Sequence, residues 1–571
     1  MIPSERESRE IEWLSTGSPN PTVRYRGVLL HSPIDPIPEA EKIVAPLVSS
    51  RTSFCLIFGL GLGYHVATLR RKLPQAEILV YEPHEEIHQA ALKVGFEGWP
   101  RDPQIRVFRQ MEELEDFLIE HCIYCASKPF PTFWVYPPYR SLAIEEIARL
   151  DSSIHLLRIR QATNLRTQKE KKNLWLQNIL ANWPRLISAP NVCQLKGIFP
   201  DLPCIIVGAG PSLDQNGPLL QGLQGKSILF SSGSALGWLK ERGIQPNFAA
   251  IFEGEDVSSQ LRAHKSNDAE WLGLSSSTHP HHFMAVMGKH FVFHTEPWVA
   301  EVLAQEPFIP HGGNISSAAF TMAVVMGCNP IVLVGQDLSY RSSELHASGI
   351  QSEDDEKVRQ FRRYALPGQK GSVWGHSAMV SYLSWFEESA RYLAKARPDL
   401  LLINATAEGA RIRGFEEMPL GEVEKFLEPL RVDIPSILEG RLGSPDVDRR
   451  AVRKRLEEIY LLISRTERLA PDFLNHPAGH LYQWLMQGEL TMAEEGEARL
   501  HPKMVGQALK VVQILMEKTE EREERPQKIY RTFSRGGRFG SSVGESPARP
   551  PAFEGNRKKY ADLIPMHDRS Q

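Results

Sequence analysis

Basic residues are in no excess in this chain of 571. Lysine and arginine number 66 against 69 aspartates and glutamates, a formal net charge of −3. A general nucleic-acid binder carries a basic surplus, so nucleic acid is not expected as a partner. Cysteine is scarce, with six in all, too few for a disulfide framework in so long a chain. No apolar run reaches the ~20 residues of a membrane span. The opening residues, MIPSERESREIEW, are too polar for the core of a secretory leader. The expected compartment is therefore a reducing cytoplasm, with no membrane span.

Several nucleotide signatures are also missing. Gly225-Lys226-Ser227 imitates a P-loop, but its earlier glycine would fall on Leu220, and the lysine precedes a strand rather than a helix. The dinucleotide pattern G-x-G-x-x-G fails at Leu213. No Asp-x-Asp follows a central strand; Asp354-Asp355 lies in the acidic stretch SEDDEK, which reads as solvated loop. No repeat of 20–50 residues is found.

What is present suits several buried cores: 42% hydrophobic and 24% charged residues, and a length that at ~150 residues per domain suggests three or four domains. The expected fold class is α/β. Residues 1–140 read as a Rossmann-like domain, with FCLIFGLGLGYHVATLRRKL and EILVYEP giving strand, glycine turn, helix and strand. Residues 141–194 read as a helical connector. Residues 195–420 alternate strands (204–208, 227–233, 248–254, 271–277, 291–294, 331–335, 400–406) with amphipathic helices, the pattern of a doubly wound parallel sheet. Residues 421–525 carry only helical periodicity and read as a small bundle. Residues 526–571, rich in Gly, Ser, Pro and Arg, read as a disordered, modestly basic tail.

In such sheets ligands bind beyond the carboxyl ends of the strands. The first glycine cluster, Gly59-Leu60-Gly61-Leu62-Gly63, precedes a strand that ends at Glu82, a carboxylate suited to ribose hydroxyls. A lone glycine cluster is weak evidence, and a tight turn with no bound cofactor is the preferred reading. The second cluster, Gly208-Ala209-Gly210-Pro211-Ser212, directly follows a strand. Free amides at a helix start, with the Ser212 hydroxyl, would make a phosphate site; a plain strand–helix turn is the other reading. A third turn, Gly312-Gly313-Asn314, precedes a helix whose start can also face an anion. Gln336 and Asp337 follow the strand IVLVG, where Asp337 holds a loop, takes a ligand hydroxyl or serves as a cap. Glu253 ends FAAIFE and is placed to accept ribose hydroxyls or, in a kinase, to hold Mg²⁺. His279, His281 and His282 form a cluster with no carboxylate or cysteine at ligand spacing, so a polar loop is preferred and no metal site is assigned. Cys122-Ile-Tyr-Cys125 lacks a second pair and reads as structural.

The runs IIVGAGPSLD, GIQPNFAAIFEGED, GGNISSAAFTMAVVMGCNPIVLVGQDLSY and INATAEGARIRGFEEMPL resemble the motility-associated factor (Maf) glycosyltransferases. That family shares its central domain with archaeal 6-hydroxymethylpterin diphosphokinase-like proteins. RYRGVLLHSPIDPIPEA and LIFGLGLGYH resemble the Maf N-terminal domain, so the resemblance spans about residues 24–420. It implies transfer of a nonulosonic acid from a CMP-sugar to Ser/Thr of flagellin, with no cofactor required. The 208–212 turn also resembles the Gly-Asn-Gly-Pro-Ser that holds CMP in bacterial sialyltransferases, with Ala209 replacing the asparagine. Trp374-Gly375-His376-Ser377 resembles the Gly-His-Ser that carries their general base. His346 stands where Maf proteins commonly show His-Ala, so His376 and His346 are both candidates for the base, and Tyr340 for stabilising the leaving phosphate. The helical block after 420 would dock the acceptor. Two alternatives stay open: an ATP- and Mg²⁺-dependent pterin diphosphokinase, and a non-enzymatic nucleotide-binding accessory protein.

Overall fold

Apolar runs without polar alternation make strands that are covered on both faces, and the chain has two sets of them. The computed structural model describes residues 11–49, 52–124, 130–258, 271–286, 289–340, 346–348, 350, 361–443, 447–466, 476–486 and 502–520. It divides into two compact units, Met1–Gln161 and Ala162–Gln571. The boundary falls inside a 45-residue helix, Ile144–Ser188. The tail 526–571 and Asp354-Asp355 lie outside the described residues. Among those described, no helix is long and apolar enough to cross a membrane.

In the first unit, β1 (Ile11–Leu14), β2 (Thr22–Tyr25) and β3 (Val28–Leu29) form a small antiparallel sheet. β4 (Phe54–Phe58), β5 (Glu77–Tyr81), β6 (Ile105–Phe108) and β7 (Thr132–Val135) form a parallel sheet in the order β6-β5-β4-β7. Every residue of β4 is buried, and successive residues serve opposite faces. Phe54, Leu56 and Phe58 join one core with Tyr64 and Tyr139, while Cys55 and Ile57 join another with Val66 and Leu69. Strand order reverses beside β4, so the loop after it leaves at a switch point.

The second unit holds β8 (Cys204–Val207), β9 (Ile228–Ser232), β10 (Phe248–Ile251), β11 (Trp271–Ser275), β12 (His290–Phe293), β13 (Ile331–Val334), the hairpin β14 (Tyr364–Pro367) and β15 (Ser372–Gly375), β16 (Leu402–Asn404) and β17 (Glu416–Glu417). Eight of these make one sheet in the order β12-β11-β10-β9-β8-β13-β16-β17, with every pairing parallel. The fold class is α/β and Rossmann-like, as the alternating pattern implied. All seven strands read from the central sequence fall on this sheet. β17 and the hairpin were not anticipated. β17 is two glutamates, and the hairpin residues are largely exposed or half-buried, so neither gives an apolar run.

The helix Ile315–Met326 follows the third glycine turn, ends at Gly327 in the left-handed conformation and buries eleven of its residues. It packs on β8, β9, β10 and β13. The helix Leu213–Leu223 shares a core with Ile205 and Val207 of β8 and Val332 and Val334 of β13. The late helices Arg449–Arg465, Pro477–Met486 and Pro502–Glu520 do not form a core apart. Leu456, Leu485 and Leu515 pack with Leu180 and Trp183, and with Leu274 of β11 and Val292 of β12. The Trp183 indole N–H donates to Thr519 Oγ1 at 3.0 Å, joining the long helix to the last one.

Candidate active site

The central sheet reverses direction between β8 and β13, where two loops leave its carboxyl edge side by side. The turn 208–212 spends three of its amides on the protein itself. Gly208 N–H donates to Val334 O and Gly210 N–H to Gly335 O, both at 2.8 Å. Ser212 N–H and Oγ–H both donate to the Asp337 carboxylate, the hydroxyl at 2.8 Å. Ser212 and Asp337 are buried. The expected phosphate cradle is thus corrected: an internal carboxylate sits where the anion was placed. The glycines answer to space. Gly210 does not have a positive φ, but a Cβ there would fall on Asp337 Oδ2, and a Cβ at Gly208 would lie 2.6 Å from Gly335 O. Pro211 lies in the turn, and the helix proper starts at Leu213.

Asp337 is held from a third side. Its carbonyl accepts from Ala410 N–H at 2.8 Å, and Gly409, at φ +118°, leaves no room for a side chain beside it. Gln336 N–H donates to Thr406 Oγ1 at 3.2 Å. Of the three readings offered for Asp337, the geometry gives that of a loop holder.

The Gly312-Gly313-Asn314 turn is also largely self-satisfied. Gly312 N–H donates to Ser317 Oγ, Gly313 N–H to His311 Nδ1, and Ser317 N–H to Asn314 Oδ1. These bonds do not involve the Asn314, Ile315 and Ser316 amides, which are what this helix start offers an anion. Two aromatic residues that the sequence did not signal cover the glycines. A Cβ at Gly312 would lie 2.8 Å from Trp385, and one at Gly313 3.0 Å from Tyr382 Cε1. Burial, with the charge of Glu253 adding to it, pushes the Tyr382 phenol up to about 12. Glu253 therefore stands near this turn; its side chain is exposed, and its carbonyl accepts from His279 N–H at 2.9 Å.

His376 caps the helix Ser377–Ala396, its Nδ1 accepting the Ala378 N–H at 3.2 Å. Its ring lies 5.8 Å from those of Tyr340 and Phe361. Burial holds the imidazole down at about 4, so it is neutral at pH 7. A neutral ring whose Nδ1 accepts carries its proton on Nε2. As held here, His376 presents its Nε2–H as a donor. Tyr340 is buried, its N–H donates to Trp374 O at 2.8 Å, and the Arg363 guanidinium lies 5.0 Å from its ring centre. His346 is half-buried. The next residue, Ala347, donates its N–H to Ala209 O at 3.0 Å, and Ser348 is bound to Asp214. The backbone at His346 thus runs beside the 208–212 turn.

Two further clusters stand outside this switch point. Asp256 joins the histidines: it lies 2.6 Å from His281 Nδ1 and 3.8 Å from His279 Nδ1. The reading that no carboxylate accompanies them is corrected; the partner sits on the neighbouring loop, out of sequence range. In the first unit the 59–63 loop is filled by its own domain. Glu82 accepts from Leu60 N–H and His84 N–H at 2.9 Å and from the Tyr139 hydroxyl. Gly61 N–H donates to Tyr139 Oη, and Leu62 N–H to His31 Nε2. A Cβ at Gly61 would lie 2.6 Å from His31, and one at Gly63 2.5 Å from Trp99.

Residues 177–343, which include β8 to β13 and their loops, match the family described as MptE-like, 6-hydroxymethylpterin diphosphokinase MptE-like. No curated protein matches the chain. Among solved structures it is similar to the Maf glycosyltransferase from Magnetospirillum magneticum AMB-1, at 14% identity, covering 93% of this chain and 96% of that one with a TM-score of 0.52. The two chains share a fold. That likeness extends through both units, whereas the MptE-like match is confined to the second.

Proposed function

We propose that this chain is a cytoplasmic glycosyltransferase that moves a nonulosonic, sialic-acid-like sugar from a CMP-sugar to a serine or threonine hydroxyl of a protein acceptor such as flagellin. The observation that carries the reading is the neutral His376, presented by a helix cap beside Tyr340. Its support is a fold shared along nearly the whole chain with a Maf glycosyltransferase.

In this reading the donor lies over the switch point. The His376 Nε2–H and the Tyr340 hydroxyl hydrogen-bond the phosphate as CMP departs, where negative charge develops. His346 removes the proton of the acceptor hydroxyl, a task suited to an imidazole at neutral pH. Glu253 accepts ribose hydroxyls, and the Gly312-Gly313-Asn314 turn faces the sugar carboxylate. The leaving group carries a single phosphate, so the transfer itself asks for no metal. The helices after 420 dock the acceptor.

A second reading, an ATP- and Mg²⁺-dependent diphosphokinase acting on a hydroxymethylpterin, is favoured by the 177–343 match. One experiment separates the two. The full chain is incubated with CMP-nonulosonate and flagellin, or with ATP, Mg²⁺ and hydroxymethylpterin, and products are read by intact mass and by nucleotide release. A sugar-sized mass gain on flagellin with CMP release supports the transferase. AMP release with a diphosphorylated pterin replaces it with the kinase, and no turnover in either mixture rejects both.

A further inference from the structure

The loops after β10 and β11 bring three metal-binding side chains together, although the sequence separates Asp256 from His279 by 23 positions. The two strands pair in parallel, with Ile251 opposite Leu274, so their loops leave the same edge of the sheet. Asp256 comes from the first loop; His279 and His281 come from the second, on either side of Pro280. One ligand atom from each lies within 4.8 Å of the others. We infer that Asp256, His279 and His281 form a site for one divalent transition-metal ion of the zinc type.

The donor set selects the metal. Two imidazole nitrogens and one carboxylate suit Zn²⁺ and its neighbours, whereas Mg²⁺ and Ca²⁺ take oxygen. Three protein ligands leave a tetrahedral ion one position for water. Ligands bonded at about 2.1 Å to a tetrahedral ion stand roughly 3.4 Å apart. His281 Nδ1 lies 2.6 Å from Asp256 Oδ2 and His279 Nδ1 3.8 Å from Asp256 Oδ1; with one ligand atom of each residue within 4.8 Å of the others, side-chain rotations that move these atoms by up to about 1.4 Å bring them to that spacing. The ion has access, since the Asp256 and His281 side chains are 39% and 42% exposed.

The scaffold is fixed by bonds around and within the ligand set: His279 Nδ1 caps the short helix by accepting the His281 N–H at 3.3 Å, a long bond that an ion on that nitrogen would replace. His282 Nε2 accepts the Val257 N–H at 3.0 Å, and its Nδ1 lies 2.8 Å from Thr278 Oγ1. Ser258 N–H donates to Asp256 Oδ1 at 2.9 Å and His279 N–H to Glu253 O at 2.9 Å. Such outer bonds orient metal ligands before the ion arrives. The ion clamps the 253–258 loop to the loop after β11. The inference stands apart from the transferase reading, since it concerns loop chemistry and takes no step of the transfer.

The test uses the full chain freed of metal with a chelator. Zn²⁺ is titrated by calorimetry and Co²⁺ by visible absorption at pH 7.5. One equivalent bound at micromolar or tighter affinity is expected, with a tetrahedral Co²⁺ spectrum and a higher Tm for the loaded protein. Asp256→Asn and His281→Ala should each weaken the affinity at least tenfold while leaving the metal-free Tm within a few degrees. Less than half an equivalent bound, or unchanged affinity in the double variant, overturns the site. Where a variant fails to fold, X-ray absorption of the Zn²⁺-loaded wild type decides: two imidazoles and one carboxylate support the site, and any shell with fewer than two imidazoles rejects it.

Discussion

The two glycine loops of this chain, 59–63 and 208–212, occupy the same place in two different sheets. Each follows the first strand of its parallel sheet, at the point where strand order reverses. In each, amides that a nucleotide would use are taken by a carboxylate of the protein. In the first unit that is Glu82, one residue past the adjacent strand β5; in the second it is Asp337, from across the switch point. They differ in what else is nearby. Tyr139, His31 and Trp99 fill the space above 59–63, and His31 is tied to Leu62 N–H on one nitrogen and to Tyr136 on the other. In the second unit, beside Tyr340, His376 keeps one ring nitrogen directed away from its cap, and Glu253, near Tyr382, is exposed. A glycine loop at a switch point is therefore a backbone solution first. Whether it becomes a binding site depends on what neighbouring elements leave open.

The largest effect should come from removing the carboxylate of the second loop. Asp337→Ala orphans the buried Ser212 N–H and hydroxyl. Each unsatisfied donor costs about 1–3 kcal/mol, so a loss of roughly 2–5 kcal/mol is expected in the unfolding of the second unit, measured by urea titration. Gly210→Val should be as damaging, because its side chain would fall on Asp337 rather than on a ligand. An Asp337→Ala protein with wild-type stability would show that the lock is dispensable and reopen the cradle to phosphate.

The first loop carries a pH dependence of its own. Burial, opposed by hydrogen bonds from Tyr139 and the Leu60 and His84 amides, lifts Glu82 to about 7 from 4.5. A carboxylate whose folded pKa is raised contributes full stability below its unfolded value and loses it as pH rises through the folded one. The cost reaches about 3 kcal/mol above pH 7. Glu82→Gln cannot ionise, so its Tm relative to wild type should climb between pH 4.5 and 8. A difference that is flat across that window would mean that the hydrogen bonds hold Glu82 ionised throughout. On the acid side the buried histidines act the other way. His65, held down at about 4 by burial, takes up its proton first in the unfolded chain, so its contribution is lost as pH falls from 6.5 towards 4.

His376 tests whether the second loop leaves a reactive group beside it. Asparagine also caps a helix, so His376→Asn should keep the cap, leaving Tm nearly unchanged, while removing the Nε2–H. Transfer from CMP-sugar is then expected to fall about a hundredfold, read as kcat at saturating donor. His376→Ala should lose the same activity and in addition about 1 kcal/mol of stability with the cap. Wild-type turnover in the asparagine variant would reduce His376 to a cap and shift the search to His346 and Glu253.

How much of this was legible followed the range of the interaction. The central strands were readable because CIIV, ILF, FAAIF and IVLV are continuous apolar runs that end at glycine, serine or a carboxylate. The helix Ile315–Met326 was readable from its spacing and from Gly327 at its end. The locking of Ser212 by Asp337 was not, because 125 positions separate the partners and only strand order makes them neighbours. Asp256 was missed beside the histidines for the same reason. Tyr382 and Trp385 gave no signal because on a helix they read as ordinary core residues; only the bare glycines beneath them show why they matter. Glycine clusters reported close approach correctly, but nothing local to them said whether the approaching group was a ligand or another loop.

The smallest effect should come from Ser212→Ala, and it separates lock from cradle most cleanly. The substitution removes one hydroxyl and adds no bulk. If 208–212 held the donor phosphate, the lost hydrogen bond would appear as weaker CMP affinity. In the structure that hydroxyl instead donates to Asp337 Oδ2 at 2.8 Å in a buried site, and the Ser212 N–H still reaches the same carboxylate. The loss should therefore appear in stability, about 1–2 kcal/mol for a hydrogen bond to a charged group whose other donor remains, with CMP affinity within twofold of wild type by calorimetry. A tenfold weaker affinity at unchanged stability would reverse the assignment: the hydroxyl would then turn from Asp337 to the ligand on binding, and the second loop would be the phosphate site that its sequence first suggested.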